Sequence, residues 1–130
     1  MSDLQEEFGL GQVGQIAVPV ADIERAVRFY RDTLGMRFLF QAPPGLGFFD
    51  LNGIRLMLDE PASAQAGNSS VIYYKVGNIE AAFATLSERG VDFERPPHLI
   101  AKMPDHDLWM AFLRDSEGNV VGLMSEKRGG

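Results

Sequence analysis

The chain repeats itself, and that constrains its fold more than any other feature. Val20-Ala21-Asp22-Ile23-Glu24-Arg25-Ala26-Val27 returns as Val76-Gly77-Asn78-Ile79-Glu80-Ala81-Ala82-Phe83. Gly35-Met36-Arg37-Phe38 returns as Gly90-Val91-Asp92-Phe93, and Asn52-Gly53-Ile54-Arg55-Leu56-Met57 is echoed by Glu117-Gly118-Asn119-Val120-Val121-Gly122-Leu123-Met124. A period near half the length means two copies of one supersecondary unit. Function then belongs between the copies, where matching positions converge.

The rest of the composition narrows the partners. At 130 residues the chain is one domain on size grounds, long enough to bury roughly two-thirds of the surface its unfolded form exposes. Twelve basic residues against 18 acidic ones leave a net charge of −6, which argues against nucleic acid or an anionic membrane as a partner. Zero cysteines removes disulfides, thiolate nucleophiles and thiolate-bound metals together. No apolar run approaches the ~20 residues of a membrane span, and the acidic start (Asp3, Glu6, Glu7) does not read as a signal peptide. The expected setting is the cytoplasm.

Local patterns predict the same element order twice. Residues 1–12 read as an arm, 13–60 as a first module, 61–69 as a linker and 70–126 as a second module. Val13–Val20 reads as a strand, and Asp22 as the N-cap of a helix with Glu24 in its first turn. Ile23, Ala26, Val27, Tyr30 and Leu34 fall on one helical face, and Gly35 ends it. Strands follow at Met36–Gln41, Gly47–Leu51 and Ile54–Asp59, the last two joined by an Asn52-Gly53 hairpin. In the second copy Ser70–Val76 is a strand, Asn78 caps a helix, and Gly90 stops it. Val91–Glu94 starts a strand that Pro96-Pro97 interrupts and that resumes at His98–Lys102, as an edge. Asp107–Arg114 and Val120–Ser125 close the copy around Asp115-Ser116-Glu117-Gly118-Asn119. The fold class is α+β, built from two tandem βαβββ modules.

The helix carrying Ala26-Val27-Arg28-Phe29-Tyr30 and ending Leu34-Gly35-Met36, together with the final Asp115-to-Asn119 hairpin, resembles the vicinal-oxygen-chelate superfamily. That group includes glyoxalase I, methylmalonyl-CoA epimerase, extradiol dioxygenases, fosfomycin-resistance thiol transferases and bleomycin-binding resistance proteins. The resemblance spans about residues 13–126. It implies a cup-shaped, mostly antiparallel sheet with helices outside, a small molecule inside, and a homodimer whose cups are completed within or across chains. It implies nothing specific about chemistry, since one fold hosts many reactions.

Metal-dependent members place one ligand on the first and one on the last strand of each module, giving a His/Gln, Glu, His, Glu set. Those four positions here are Gln15, Met57, Val71 and Gly122. Three protein ligands are the usual minimum for a catalytic zinc site. Valine and glycine side chains donate nothing, and a thioether is soft and neutral. The expectation is therefore no bound metal, with a divalent ion as the alternative, held at a non-standard site or by Asp59 or Ser70 after a one-residue slip.

Alternation along the strands puts Gln15 and Ala17, then Arg55, Met57 and Asp59, then Val71, Tyr73 and Lys75, then Val120, Gly122 and Met124 on the cup side. Ile54, Leu56, Leu58, Val121 and Leu123 fall on the core side. Gln15, Arg55, Met57, Tyr73 and Gly122 are accordingly candidate ligand contacts in a mixed polar and apolar pocket. A second concentration holds both histidines and the only tryptophan: His98, Lys102, Asp105-His106-Asp107 and Trp109. A carboxylate beside an imidazole can orient it and raise its basicity, but neighbours on a strand face opposite ways, so Asp105-His106-Asp107 also reads as a solvated hairpin tip. The resemblance places a mobile segment of the cup mouth near here, which adds His98, His106 and Trp109 to the candidate contacts. Arg37 and Lys102 are candidate partners for an anion.

Three functional readings follow. The first is a metal-free receptor for a small hydrophobic or aromatic compound. The second is a lyase, isomerase or dioxygenase of the superfamily's type, with metal held elsewhere or with His98, His106 or Glu126 as base. The third is a non-catalytic module whose cup is filled by Tyr73 and Met57.

Overall fold

A computed structural model describes residues 8–60 and 70–128. The expected linker at 61–69, most of the expected arm (1–7) and the last two residues lie outside them. Along the chain come β1 (Gln15–Pro19), α1 (Ile23–Arg28), a π-type turn (Phe29–Thr33), β2 (Arg37–Ala42), β3 (Leu46–Leu51) and β4 (Ile54–Asp59). The second copy supplies β5 (Ile72–Lys75), α2 (Ile79–Glu88), β6 (Phe93–Lys102), β7 (Asp107–Arg114) and β8 (Val120–Lys127). Each copy forms a four-stranded sheet, in the order β1-β4-β3-β2 and β5-β8-β7-β6. Only β1 with β4 and β5 with β8 run parallel. This is the tandem βαβββ architecture expected of the sequence, without closure into a barrel. Among the described residues no helix is long and apolar enough to cross a membrane.

The punctuation residues behave as their chemistry requires. Asp22 and Asn78 adopt extended backbone, and their side chains accept from the amides of Arg25 at 3.1 Å and Ala81 at 2.9 Å. Gly35 and Gly90 end their helical segments at φ +74° and +90°. Asn52 and Gly53 both have positive φ, the requirement of a two-residue type I′ hairpin. Gly53 N–H is also held by the Asp50 carboxylate at 3.0 Å.

Two elements differ from expectation. The first helix is not uniformly α-helical: beyond Arg28 it widens, and Leu34 N–H reaches back five residues to the Phe29 carbonyl at 2.9 Å. At 3.6 residues per turn Phe29 and Leu34 would diverge around the helix. Widening stacks them, and both side chains pack against the cores of both modules. The strand expected to break at Pro96-Pro97 runs continuously from Phe93 to Lys102, with register shifts at three places. It is the sheet's edge, where a proline's missing N–H removes no ladder bond on the outer side.

Each module has its own core. In the first, Val18, Leu56, Leu58 and Phe49 meet Ile23, Ala26, Val27 and Tyr30 of the helix. In the second, Val121, Leu123, Ala111 and Leu113 meet Ile79 and Leu86. The junction between modules is polar. The Glu117 carboxylate, fully shielded from solvent, accepts from the amides of Ala21 and Asp22 at 2.9 Å each and from Arg25 Nε at 2.7 Å. Tyr30 donates to Asp115 at 2.6 Å, and Asn119 donates to the Pro19 carbonyl at 3.0 Å.

Burial pushes the Glu117 carboxyl up, but bonds from Arg25, Ser116, Asp22 and Ala21 outweigh it and hold its pKa at about 2, below the ordinary 4.5. Burial raises the phenols of Tyr30 and Tyr74, the latter to about 12. A depressed carboxylate stabilises the fold fully above its unfolded pKa and progressively less as pH falls towards the folded one. Urea titrations should therefore show Glu117→Gln costing about 2 kcal/mol at pH 7 and much less near pH 2. Raised phenols work in the opposite sense, so wild-type stability should also fall above the ordinary tyrosine pKa, ~10. An equal cost of Glu117→Gln at both pH values would show that its charge does not hold the junction.

Candidate functional site

Strand register decides what each sheet presents away from its helix. In the first module Ala17 pairs with Met57, Phe48 with Met57 and Phe40 with Phe48. Since Val18, Phe49, Leu56 and Leu58 face α1, the alternate residues Gln15, Ala17, Arg55, Met57, Asp59 and Phe48 form the open face. In the second module Tyr73 pairs with Gly122, Gly122 with Phe112, and Met110 with both Met124 and His98. Val121, Leu123, Ala111 and Leu113 face α2, so Tyr73, Gly122, Phe112, Met110, Met124 and His98 are open.

The first open face is mixed in polarity. Gln15 Nε2 lies 3.7 Å from the Met57 sulfur, and the Arg55 guanidinium sits 5.5 Å over the Phe48 ring. Phe40 tilts against Phe48 with centroids 4.8 Å apart. The second is aromatic. Tyr73 meets Phe112 edge-on at 5.8 Å, and the His98 ring lies 6.2 Å from Phe112. His98 is oriented through Nδ1, 2.7 Å from the Pro96 carbonyl oxygen. Tyr73 and Phe40 remain 44% and 47% exposed, so neither face is roofed by the described residues.

Gly122 explains how the second face is built. A Cβ there would stand 2.7 Å from Tyr73 Cδ2 and 2.9 Å from Cε2. The tyrosine ring therefore lies directly over the strand, in the space a side chain at 122 would need.

The same geometry tests the metal site that the resemblance implies. Gln15 and Met57 do converge, but an amide beside a thioether is a poor set for a hard or borderline divalent ion. On the second face the ring of Tyr73 covers Gly122, and Val71 offers only carbon. Among the described residues no three His, Asp or Glu side chains gather. The residues present do not fit the superfamily's metal. Glu126, a candidate base, is paired instead with Arg128 at 2.8 Å and Lys75 at 3.7 Å.

The structure thus brings Gln15, Arg55 and Met57 together on one face, and Tyr73, Gly122 and His98 on the other. It places two expected contacts elsewhere. Trp109 pairs with Ser125 on the α2 side of its sheet, packs on the second core, and is capped by Lys127 Nζ at 4.2 Å. His106 sits in the turn between β6 and β7, its Nδ1 2.7 Å from the Asp105 carboxylate. The reason is strand parity for the first and position off the sheet for the second. Lys102 is paired with Asp107 at 3.4 Å, in the opposite module from Arg37. Phe48, Phe40, Phe112 and Met110 were not among the expected contacts. The two-residue Asn52-Gly53 turn carries the signal for Phe48, because it forces Leu51 opposite Ile54 and so Phe48 opposite Met57.

Two sheets with outer helices and unroofed inner faces define a class of cup-fold binding and catalytic proteins. The profile of the Glyoxalase/Bleomycin resistance protein/Dioxygenase superfamily matches residues 12–123, and the chain belongs to that family. It is 26% identical over 128 residues to a glyoxylase-like domain-containing protein of Didymella fabae, covering 87% of this chain and 92% of that protein. Among solved structures it resembles TnmS3, an antibiotic binding protein from Streptomyces sp. CB03234, at 26% identity and a TM-score of 0.75, covering 93% of this chain and all (100%) of the other. A lactoylglutathione lyase from Agrobacterium tumefaciens shares the fold at 17% identity and a TM-score of 0.74, over 90% of this chain and 95% of that one.

A double-mutant cycle measures the Tyr73–Gly122 fit. Gly122→Ala alone should cost about 1 kcal/mol by displacing the ring, and this cost should shrink when Tyr73→Ala is already present. Urea denaturation of the four proteins gives the coupling, and additive effects would mean that the ring does not rest on the glycine.

Proposed function

We propose that this protein is a metal-free receptor for a small, flat, largely apolar compound, held on the open faces of the two sheets. The observation that carries the reading is Gly122 beneath Tyr73: a position where relatives ligate a metal is given over to seating an aromatic ring. Tyr73, Phe112 and His98 on one side and Phe40 and Phe48 on the other offer stacking surfaces for a planar ligand, while Gln15 and Arg55 supply a few polar contacts. The likeness to an antibiotic binding protein supports the same class. A net charge of −6 favours a neutral or cationic ligand over nucleic acid or an anionic membrane, and the setting of this reading is the cytoplasm.

The cup is completed by a second copy in this reading. Among the described residues both open faces are unroofed, and β1, β2, β5 and β6 each leave an edge unpaired. Unpaired edges are usually managed by pairing or covering. A homodimer does both.

The experiment is a thermal-shift screen of planar aromatic compounds, including cationic ones, followed by calorimetry on any hit. A bound compound raises the melting temperature by mass action. Tyr73→Ala should weaken a hit by about fivefold, one aromatic contact being worth on the order of 1 kcal/mol. Metal analysis of protein purified without chelator is the complement. Stoichiometric nickel, zinc or manganese that disappears in Gln15→Ala would overturn the reading in favour of a metalloenzyme.

A further inference from the structure

The repeat is broken where the modules meet, and the break leaves a cavity. Over the start of α1 the junction is sealed by the hairpin Asp115–Asn119, whose Glu117 occupies the amides of Ala21 and Asp22. The matching place over α2 is approached by the first module's hairpin, which has only the two-residue Asn52-Gly53 turn. What the short turn fails to fill is a cavity of about 400 Å³ on the helix side of the second sheet. Leu34, Met36 and Leu51 border it from the first module, and Tyr74, Val121 and Leu123 from the second.

We propose that this cavity is a second binding site, separate from the open faces, for an apolar carboxylate of medium-chain fatty-acid type. Three observations select that chemistry. Along α2 the lining is Ala81, Ala82, Thr85, Leu86 and Arg89, so small side chains leave a channel roughly 12 Å long at 1.5 Å per residue. Arg89 is the one charged lining residue and stands at the channel's end. Its Nη1 donates to the Thr33 carbonyl at 2.8 Å, and among the described residues no carboxylate pairs with it. Guanidinium is shaped to take a carboxylate through its remaining N–H groups. Tyr74 adds a protonated hydroxyl that has no hydrogen-bond partner among the described residues and can donate to a carboxylate. One cation at the end of an apolar channel suits an amphipathic monoanion, and neither a sugar phosphate nor a fully polar metabolite. The chain's net charge of −6 gives no general attraction for anions, so affinity for one reports this local arrangement. The proposal does not rest on the receptor reading above.

Calorimetric titration with decanoate, and with decanol as its uncharged counterpart, tests it on the wild-type protein at pH 7. Decanoate should bind saturably, one per chain, about tenfold tighter than decanol, as one charge-assisted contact provides. Thr85→Phe, at an exposed helix position that faces the channel, should abolish binding while leaving the melting curve intact. Arg89→Gln should remove the preference for decanoate and leave decanol binding unchanged. Tyr73→Ala, on the opposite side of the sheet, should leave both ligands unaffected, so failure here is distinguishable from failure of the receptor reading. The proposal is overturned by absence of saturable binding below the concentration at which decanoate forms micelles. Equal affinity for the two ligands overturns it too, as does binding that survives Thr85→Phe but is lost in Tyr73→Ala.

Discussion

The arrangement of the two modules depends on one buried carboxylate. Taking the Glu117 charge out of water is costly unless every lone pair finds a donor. Here two backbone amides, the Arg25 guanidinium and the Ser116 hydroxyl supply them. Among the described residues no strand of one sheet pairs with a strand of the other, so the ladder that welds each module internally contributes nothing across the junction. Orientation is set instead by directional bonds from the Asp115–Asn119 hairpin and, on the other side, from Arg89 to the Thr33 carbonyl, backed by Phe29 and Leu34 packing on both cores. Polar junctions of this kind tolerate little drift, because a shifted partner leaves an unpaired charge rather than a looser contact.

That junction has a consequence for the open faces. Because the modules are joined through helix and hairpin, among the described residues both inner faces are left bare and four sheet edges, β1, β2, β5 and β6, unpaired. A fold held together this way can alter its inner surface residue by residue without touching its supports. The Tyr73–Gly122 pair illustrates it: the side chain missing at 122 is what gives the ring its seat, and neither residue belongs to a core. A side chain at position 122 and the Tyr73 ring as it lies here cannot occupy the same space.

Much of this was legible in the chain. The doubled capping signals and doubled glycine stops placed both helices, because Asp22 and Asn78 act through local bonds that need no tertiary context. Parity along β1, β4, β5 and β8 placed Gln15, Arg55, Met57, Tyr73 and Gly122 together with their open-face neighbours. Trp109 was expected at the cup mouth from the resemblance and not from parity; a register counted from Asn119 back to Asp115 would have put it opposite Ser125. The role of the Asp115–Asn119 hairpin was not legible at all. Its residues read as turn formers, which they are, with Asp115 holding the amides of Glu117 and Asn119 at 2.8 Å. That the same hairpin clamps a helix some 95 residues away in sequence follows only from the fold. The π-type turn escaped for a similar reason, since apolar spacing of four and then three or four fits an ordinary helix until a second core claims Phe29 and Leu34.

The two copies have also diverged in a way that one physical rule explains. A junction between matching modules can be sealed on both sides only if both hairpins are long enough to reach across, and here one spans Asp115 to Asn119 while the other is a tight pair. The long one brings charge, so its side is closed by hydrogen bonds that exclude water. The short one brings Leu51, so apart from the bond from Arg89 to the Thr33 carbonyl its side is closed by apolar contact and stays partly hollow. Packing at near-crystalline density is the norm for interiors, and an apolar void gives up dispersion contacts along its whole lining. The free energy forgone there is recovered by whatever apolar group fits, and Arg89 at the rim decides its charge.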